Sequence, residues 1–397
     1  MSIQDDMQKI VKLYVDRLGL AKAVPEDDVQ SVMKKRAKAA KVDKILENYI
    51  NKYGSSFLPN TMVRKGEVGE TAHATISYLL SRYGNSKNTS LNIYLREPSG
   101  NDQPSSTLVQ RQKAAIELLT SPFGGACIEG SEAQKVNVTM ADYNRHPLAM
   151  LATEDYRQQL MSYIEEREDL LSKKIKKRAA DIAVSLHTSI KEYMDEGKVA
   201  ILWYKNPKKK DDEGRMEHVY NALESYGADV IILMGDTFNK TLDFNLRGGG
   251  TVQQKKDEGQ TADNLVIVTG GKWRPKFLKL RPDDMDATLQ GNLFYQWYTE
   301  YYSALVCDAR FMVCPSRTGG SHGPYFLGVP LVYLDEYPNL KSFLQERMAV
   351  HAVLDPFITP IPNIATAQGE EKIPFVESMT TQVMKLYDMK KLLFKKV

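Results

Sequence analysis

Two short apolar runs, Phe311-Met312-Val313-Cys314 and Leu331-Val332-Tyr333-Leu334, flank a stretch that opens Pro315-Ser316-Arg317-Thr318-Gly319-Gly320-Ser321-His322-Gly323-Pro324. Runs this short, bounded by Gly, Pro and Ser, read as strands buried on both faces rather than as helices. Between them the residues read as a tight turn rich in glycine and small hydroxyl side chains, followed by a short helix. Strand, turn, helix and strand in succession make the unit of an α/β sheet, and that constrains the class of fold more than any other stretch does. The glycines let backbone N–H groups approach an anion closely, and Arg317, Thr318, Ser321 and His322 add donors beside them. A negatively charged ligand is the expectation for this turn.

The same alternation recurs upstream. Thr71 to Tyr83 reads as a helix, Leu91 to Leu95 as a strand, Leu108 to Leu119 as a helix and Val136 to Met140 as a strand ending at Ala141-Asp142-Tyr143. Later, Val199 to Tyr204 and Val230 to Met234 read as strands around a helix over Met216 to Tyr226. A hydrophilic insertion from Asn239 to Asp263 follows, then a strand at Leu265 to Val268 and a helix from Asn292 to Leu305. Such alternation points to parallel sheets covered by helices. Residues 154–196 are helical throughout, yet one helix of that length would extend about 65 Å at 1.5 Å per residue, so a kink or two helices is expected. Apolar positions at helical spacing also mark residues 1–55, and Glu377 to Lys396 forms an amphipathic end that packs back on the core.

At 397 residues the chain exceeds what one core usually supports. The expected division is a helical segment over 1–60, a first α/β domain over 61–152, connecting helices over 153–197, a second α/β domain over 198–350, and a tail over 351–397. Fifty-three Lys and Arg against fifty Asp and Glu leave a net charge of only +3, which argues against a general nucleic-acid binder. Three cysteines without a C-x-x-C pair fit a reduced chain. No basic leader with an apolar core opens the sequence and no apolar run of about 18 residues occurs, so a cytoplasmic protein with no membrane contact is expected.

Two such halves joined by helices, with a Gly/Ser turn and a Leu327-Gly328-Val329-Pro330-Leu331-Val332 run late in the second, resemble the GT-B glycosyltransferase fold. The succession Val199–Trp203, Val230–Met234, Leu265–Val268 and then Ser303 to Asp335 is similar to the nucleotide-sugar half of fucosyltransferase-like enzymes. The resemblance implies α/β architecture with two Rossmann-like domains, a helical N-terminal segment, and a nucleotide-diphosphate sugar donor whose sugar passes to an unknown acceptor. By the same resemblance Arg317, Thr318, Gly319, Gly320, Ser321 and His322 hold the donor diphosphate, and Lys205 takes the basic position after the first strand of that half. No cofactor and no metal are expected. The motifs G-x-G-x-x-G, G-x-x-x-x-G-K-[ST] and H-E-x-x-H are absent.

Displacement at a sugar wants a base near the acceptor hydroxyl and a cationic cradle for the departing phosphate. Asp142, His146 and Glu97, each beyond a strand end of the first half, are the candidate bases, although Asp142 equally suits a cap and His146 a loop. Lys272 and Arg274 are further cradle candidates. Glu336, in Asp335-Glu336 after the last strand, could take a ribose hydroxyl or simply carry surface charge. Trp203, Trp273, Trp297 and the tyrosines 295, 298, 301 and 302 read as core packing.

A rival reading rests on three basic clusters, Lys34–Lys41, Lys173–Arg178 and Lys205–Lys210. Aligned on one face they could track an RNA backbone, as in an enzyme using aminoacyl-tRNA similar to the arginine-containing cyclodipeptide synthases, with Glu97 or Asp142 recognising the arginyl group. The D-D-x-x-E pattern of that family is absent. A third reading is a binding scaffold without catalysis.

Overall fold

In the computed structural model the described residues are 61–75, 92–98, 103–130, 161–194, 198–204, 222–223, 225–235, 250–255, 264–269, 276–279, 289, 291–314 and 319–333. The first section contains β1 (Thr61–Arg64), α1 (residues 68–75), β2 (Ile93–Arg96), α2 (Ser106–Thr120) and β3 (Cys127–Ile128). Its three strands form a parallel sheet in the order β1-β2-β3. Along β2 the burial alternates, with Ile93 and Leu95 turned inward and Tyr94 and Arg96 half-buried, as the two-residue period of a strand requires. α2 starts at Ser105, whose hydroxyl accepts from the Leu108 N–H at 3.3 Å. Its Ile116 packs with Val63, Ala74, Ile93 and Leu95 in a small core on this sheet.

The long helical stretch is two helices. α3 (residues 161–166) stops at Arg167, which pairs with Asp169, and Ser172 caps α4 (Lys173–Ile190) by accepting from Ile175 N–H at 3.4 Å. The buried residues Ile175, Ala179, Ala183, Leu186 and Ile190 recur at steps of three and four, so they form one apolar stripe. Lys173, Lys174, Lys177 and Arg178 lie on the exposed side.

The second section holds β4 (Val199–Tyr204), β5 (Val230–Gly235), β6 (Gly250–Lys255), β7 (Asn264–Thr269), β8 (Lys276–Lys279), α5 (Leu293–Val306), β9 (Ala309–Cys314), α6 (His322–Leu327) and β10 (Leu331–Tyr333). Five of these strands make a parallel sheet in the order β10-β9-β4-β5-β8. Val199, Ala200, Ile201, Val230, Ile231 and Ile232 are wholly buried, which is why these strands read as unbroken apolar runs rather than alternating ones. Counted along the chain, the five strands stand in the order 3-2-1-4-5, with the reversal of direction between β4 and β9.

One strand departs from expectation. Leu265–Val268 was expected as the third strand of the parallel sheet, and Asn239–Asp263 as a polar insertion. Instead β7 pairs antiparallel with β6, a strand drawn from that insertion, from Gly250↔Thr269 to Lys255↔Asn264. Only residues 256–263 separate the two, so little loop-closure entropy opposes the pairing. The third place is taken by β8, whose Lys-Phe-Leu-Lys suits an edge strand but shows too short an apolar run to be recognised. β1 and β3 likewise escape the sequence reading, and Val136–Met140 lies outside the described residues, as do 1–60 and 334–397.

α5 joins the sections. Its Asn292 cap accepts from Phe294 N–H at 2.9 Å, and Leu293, Phe294, Trp297, Tyr298 and Ala304 are buried. The main core runs without interruption from Ala72 on α1 and Ala115 and Leu119 on α2, through the α4 stripe and α5, to β4, β5, β9 and α6. Trp203 and Trp297 are core residues, as expected. Cys307 and Asp308 carry α5 straight into β9, with Asp308 at φ 51°, a left-handed conformation that Asp tolerates through its short polar side chain.

Trp297 is fully buried against Gly323 of α6, where an added Cβ would lie 2.3 Å from the indole. Gly323→Ala is therefore expected to force α6 off α5 and cost about 1–3 kcal/mol or more. Urea unfolding followed by tryptophan fluorescence checks this: an unchanged midpoint would mean that the contact is not tight.

Candidate functional site

In an open α/β sheet the loops on either side of a reversal leave in opposite directions, and the crevice between them, outside the carboxyl ends of the strands, is where ligands bind. Here those strands are β4, ending at Tyr204, and β9, ending at Cys314, and Leu202 pairs with Val313 near that end. Lys205 follows β4 directly and Arg317 and Thr318 follow β9, but all three lie outside the described residues, as do Asp142, His146, Lys272, Arg274 and Glu336. Of the expected site residues the structure places Gly319, Gly320, Ser321, His322 and Glu97.

The described part of the bend is packed against the first section. Gly319 meets the N-terminus of α1: a Cβ there would stand 2.6 Å from Gly69 N and 2.7 Å from Gly69 Cα. Gly320 lies on Trp203, with a Cβ 2.7 Å from the indole. Ser321 is fully buried and its hydroxyl donates to Cys314 Sγ at 3.7 Å. His322, 3 % exposed, sets its ring edge-on to His73 of α1 with centroids 5.1 Å apart, and His73 is edge-on to Phe326 at 4.8 Å. The glycines read as an anion cradle are thus accounted for by close approach of backbone to backbone and backbone to indole. α6 has six residues, and the His322 N–H is already taken by Gly319 O at 3.2 Å.

What holds Gly69 in place is a polar network at the end of β1. Glu70, fully buried, accepts from Arg64 Nε at 3.1 Å, Arg64 Nη2 at 2.8 Å and the Arg64 N–H at 2.9 Å. Gln112 of α2 donates to Arg64 O at 2.9 Å and to Thr71 Oγ1 at 2.8 Å, and accepts from Gly66 N–H at 2.9 Å. Gly66 has φ 82° and abuts Pro104, so the turn there needs glycine. The Arg64 guanidinium donates twice to Glu70 Oε1 while the Arg64 N–H holds Oε2, and these charge-assisted bonds make the loop stiff. Sequence reasoning missed Glu70, His73 and Gln112, because no motif sets them apart from the other polar residues of their helices.

Glu97 follows β2 and accepts from Lys65 Nζ at 2.5 Å, while Lys113 pairs with Glu129 at 3.0 Å and Lys65 Nζ lies 3.9 Å from Glu129. Lys65, Glu97 and Glu129 are the residues that follow the three strands of the first sheet, so Glu97 sits at a carboxyl edge, half exposed and ion-paired. Burial pushes the Cys127 and Cys307 thiols up to about 12, so neither is a thiolate nucleophile near neutrality. Among the described residues no three of His, Cys, Asp and Glu are grouped to hold a metal ion, and no helix is long and apolar enough to cross a membrane.

Gly319→Ala is expected to push α1 away from the bend, because the neighbour it would strike is backbone and cannot rotate aside. Hydrogen exchange should speed in residues 68–75 while β4 and β5 stay protected; equal protection in α1 would show that the contact does not hold the sections together.

Comparison with family models, with curated proteins and with solved structures finds no match to this chain.

Proposed function

We propose that the chain is a glycosyltransferase-like enzyme of two Rossmann-like domains, binding a nucleotide-diphosphate sugar in the crevice beyond β4 and β9. The observation that supports this is the strand order, whose reversal makes β4 and β9 neighbours, about 4.8 Å apart as paired strands are. The chain runs from their two carboxyl ends directly into Lys205 and into Pro315-Ser316-Arg317-Thr318. A diphosphate leaving group accumulates negative charge as the glycosidic bond breaks, and two cations beside it offset that charge more strongly than they bind the intact donor.

The enclosure of Ser321 and His322 refines the assignment. In this reading Arg317, Thr318 and Lys205 contact the phosphates, Gly319, Gly320, Ser321 and His322 shape the bend that presents them, and Glu336 takes a ribose hydroxyl. The first section supplies the acceptor side, with Asp142, His146 or Glu97 as base. Glu97 would have to exchange its bond to Lys65 for one to the acceptor hydroxyl.

The exposed face of α4 favours a second reading, in which aminoacyl-tRNA is the substrate. Its first turn carries no acid, and Lys173, Lys174, Lys177 and Arg178 all face solvent. Binding through such a face weakens steeply with salt.

Calorimetric titration with nucleoside diphosphates separates the two. A saturable response is expected from at least one base, and Arg317→Ala or Lys205→Ala should weaken it about 10- to 100-fold, the value of a charge-assisted hydrogen bond. A response to tRNA alone would replace the transferase reading with the second; no response to either would leave a scaffold.

A further inference from the structure

His73 of α1 and His322 of α6 are each buried, and they bring an imidazole from either section into edge-on contact, with centroids 5.1 Å apart. His73 also lies edge-on to Phe326, one turn further along α6, at 4.8 Å. Each histidine stands one turn after a glycine of the backbone-to-backbone contact, His73 after Gly69 and His322 after Gly319. The two rings are therefore part of the seam by which the first section closes over the bend.

Imidazole is the side chain that ordinarily takes up a proton between pH 5 and 8. The closed seam accommodates two neutral rings, or one neutral and one charged. It does not accommodate two charged rings, because like charges 5.1 Å apart in a site shut off from solvent repel each other and each forgoes its hydration. The charged groups on the surrounding described elements do not alter that count. Glu70, one turn before His73, is engaged by Arg64, which also lies 3.6 Å from Glu67. α2 contributes Arg111, which donates to Gln296 of α5, Lys113, which pairs with Glu129, and the exposed Glu117. α5 contributes Glu300, whose carboxyl is pushed up to about 8 by burial and is neutral in acid, and β9 contributes Arg310. β4 and β10 carry no charged residue, and the tyrosines of α5 and α6 and the Cys314 thiol are neutral in acid. Glu70 steadies one imidazolium at most, and no acid stands to separate two.

We propose that His73 and His322 form an acid-sensitive catch between the two sections, closed while at least one ring is neutral and released when both are charged. The sign follows from linkage. The open form takes two protons and the closed form at most one, so opening is coupled to proton uptake and the seam weakens as pH falls below about 6.5, the ordinary value of an imidazole. Above that value neither ring needs a proton and the catch holds in full. It acts on the grip of α1 on the bend, independently of any ligand in the crevice.

Hydrogen exchange of the full chain at about pH 7.5 and about pH 5, corrected for intrinsic rates, tests the catch. Peptides of α1 and α6 should exchange roughly 30-fold faster, or more, at the lower pH, while β4 and β5 stay protected. His73→Phe, which keeps a ring against Phe326 and cannot ionise, should make that rise at least tenfold smaller. An equal rise in His73→Phe would overturn the proposal. Should that variant misfold, the imidazole signals of the unmodified protein, labelled at its six histidines, supply an independent arm by nuclear magnetic resonance. While α1 stays protected, no more than one of His73 and His322 should titrate; both titrating near 6.5 with α1 still protected would equally overturn it.

Discussion

The seat of Trp297 against Gly323 is the contact on which the arrangement of this chain depends. α5 carries the large aromatic residues and buries them towards α4, α6 and α2, so it can approach α6 closely only where α6 offers no side chain. With that distance set, α6 follows from β9, the bend reaches α1, and the core runs from one parallel sheet to the other. A packed interior does not absorb a misfit of a methyl group cheaply, and the glycine is therefore required by its neighbour rather than by its own backbone angle.

The bend itself serves two masters. Its glycines let the first section dock, Gly319 on Gly69 and Gly320 on Trp203, while the residues just before it leave the strand that borders the crevice. The stiff network of Arg64, Glu70 and Gln112 holds the surface on which the bend rests. Docking and ligand binding are thus adjacent in sequence, and in the proposed reading the phosphates meet Arg317 and Lys205 while the buried half of the bend carries the load of packing.

Much of the architecture was legible residue by residue. The apolar runs at Val199–Tyr204, Val230–Met234 and Phe311–Cys314 announced buried strands because a parallel sheet covered on both faces demands apolar residues at every position. Ser105 and Ser172 lie where helix caps should lie, and the break between α3 and α4 followed from helix length. Less visible were short or edge strands such as β1, β3 and β8, where two or three apolar residues carry no period. The antiparallel pairing of β7 escaped because an apolar strand does not say which partner it will take.

Taken alone, the amino-acid sequence determined the class of the protein and most of its strands and helices, since those depend on local periodicity and capping. Only the tertiary structure decided which strands are neighbours, that the reversal falls between β4 and β9, and that the first section closes over the bend. It also decided what the glycines are for. A missing side chain makes room equally well for a phosphate, a backbone or an indole, and local sequence cannot tell which of these arrives.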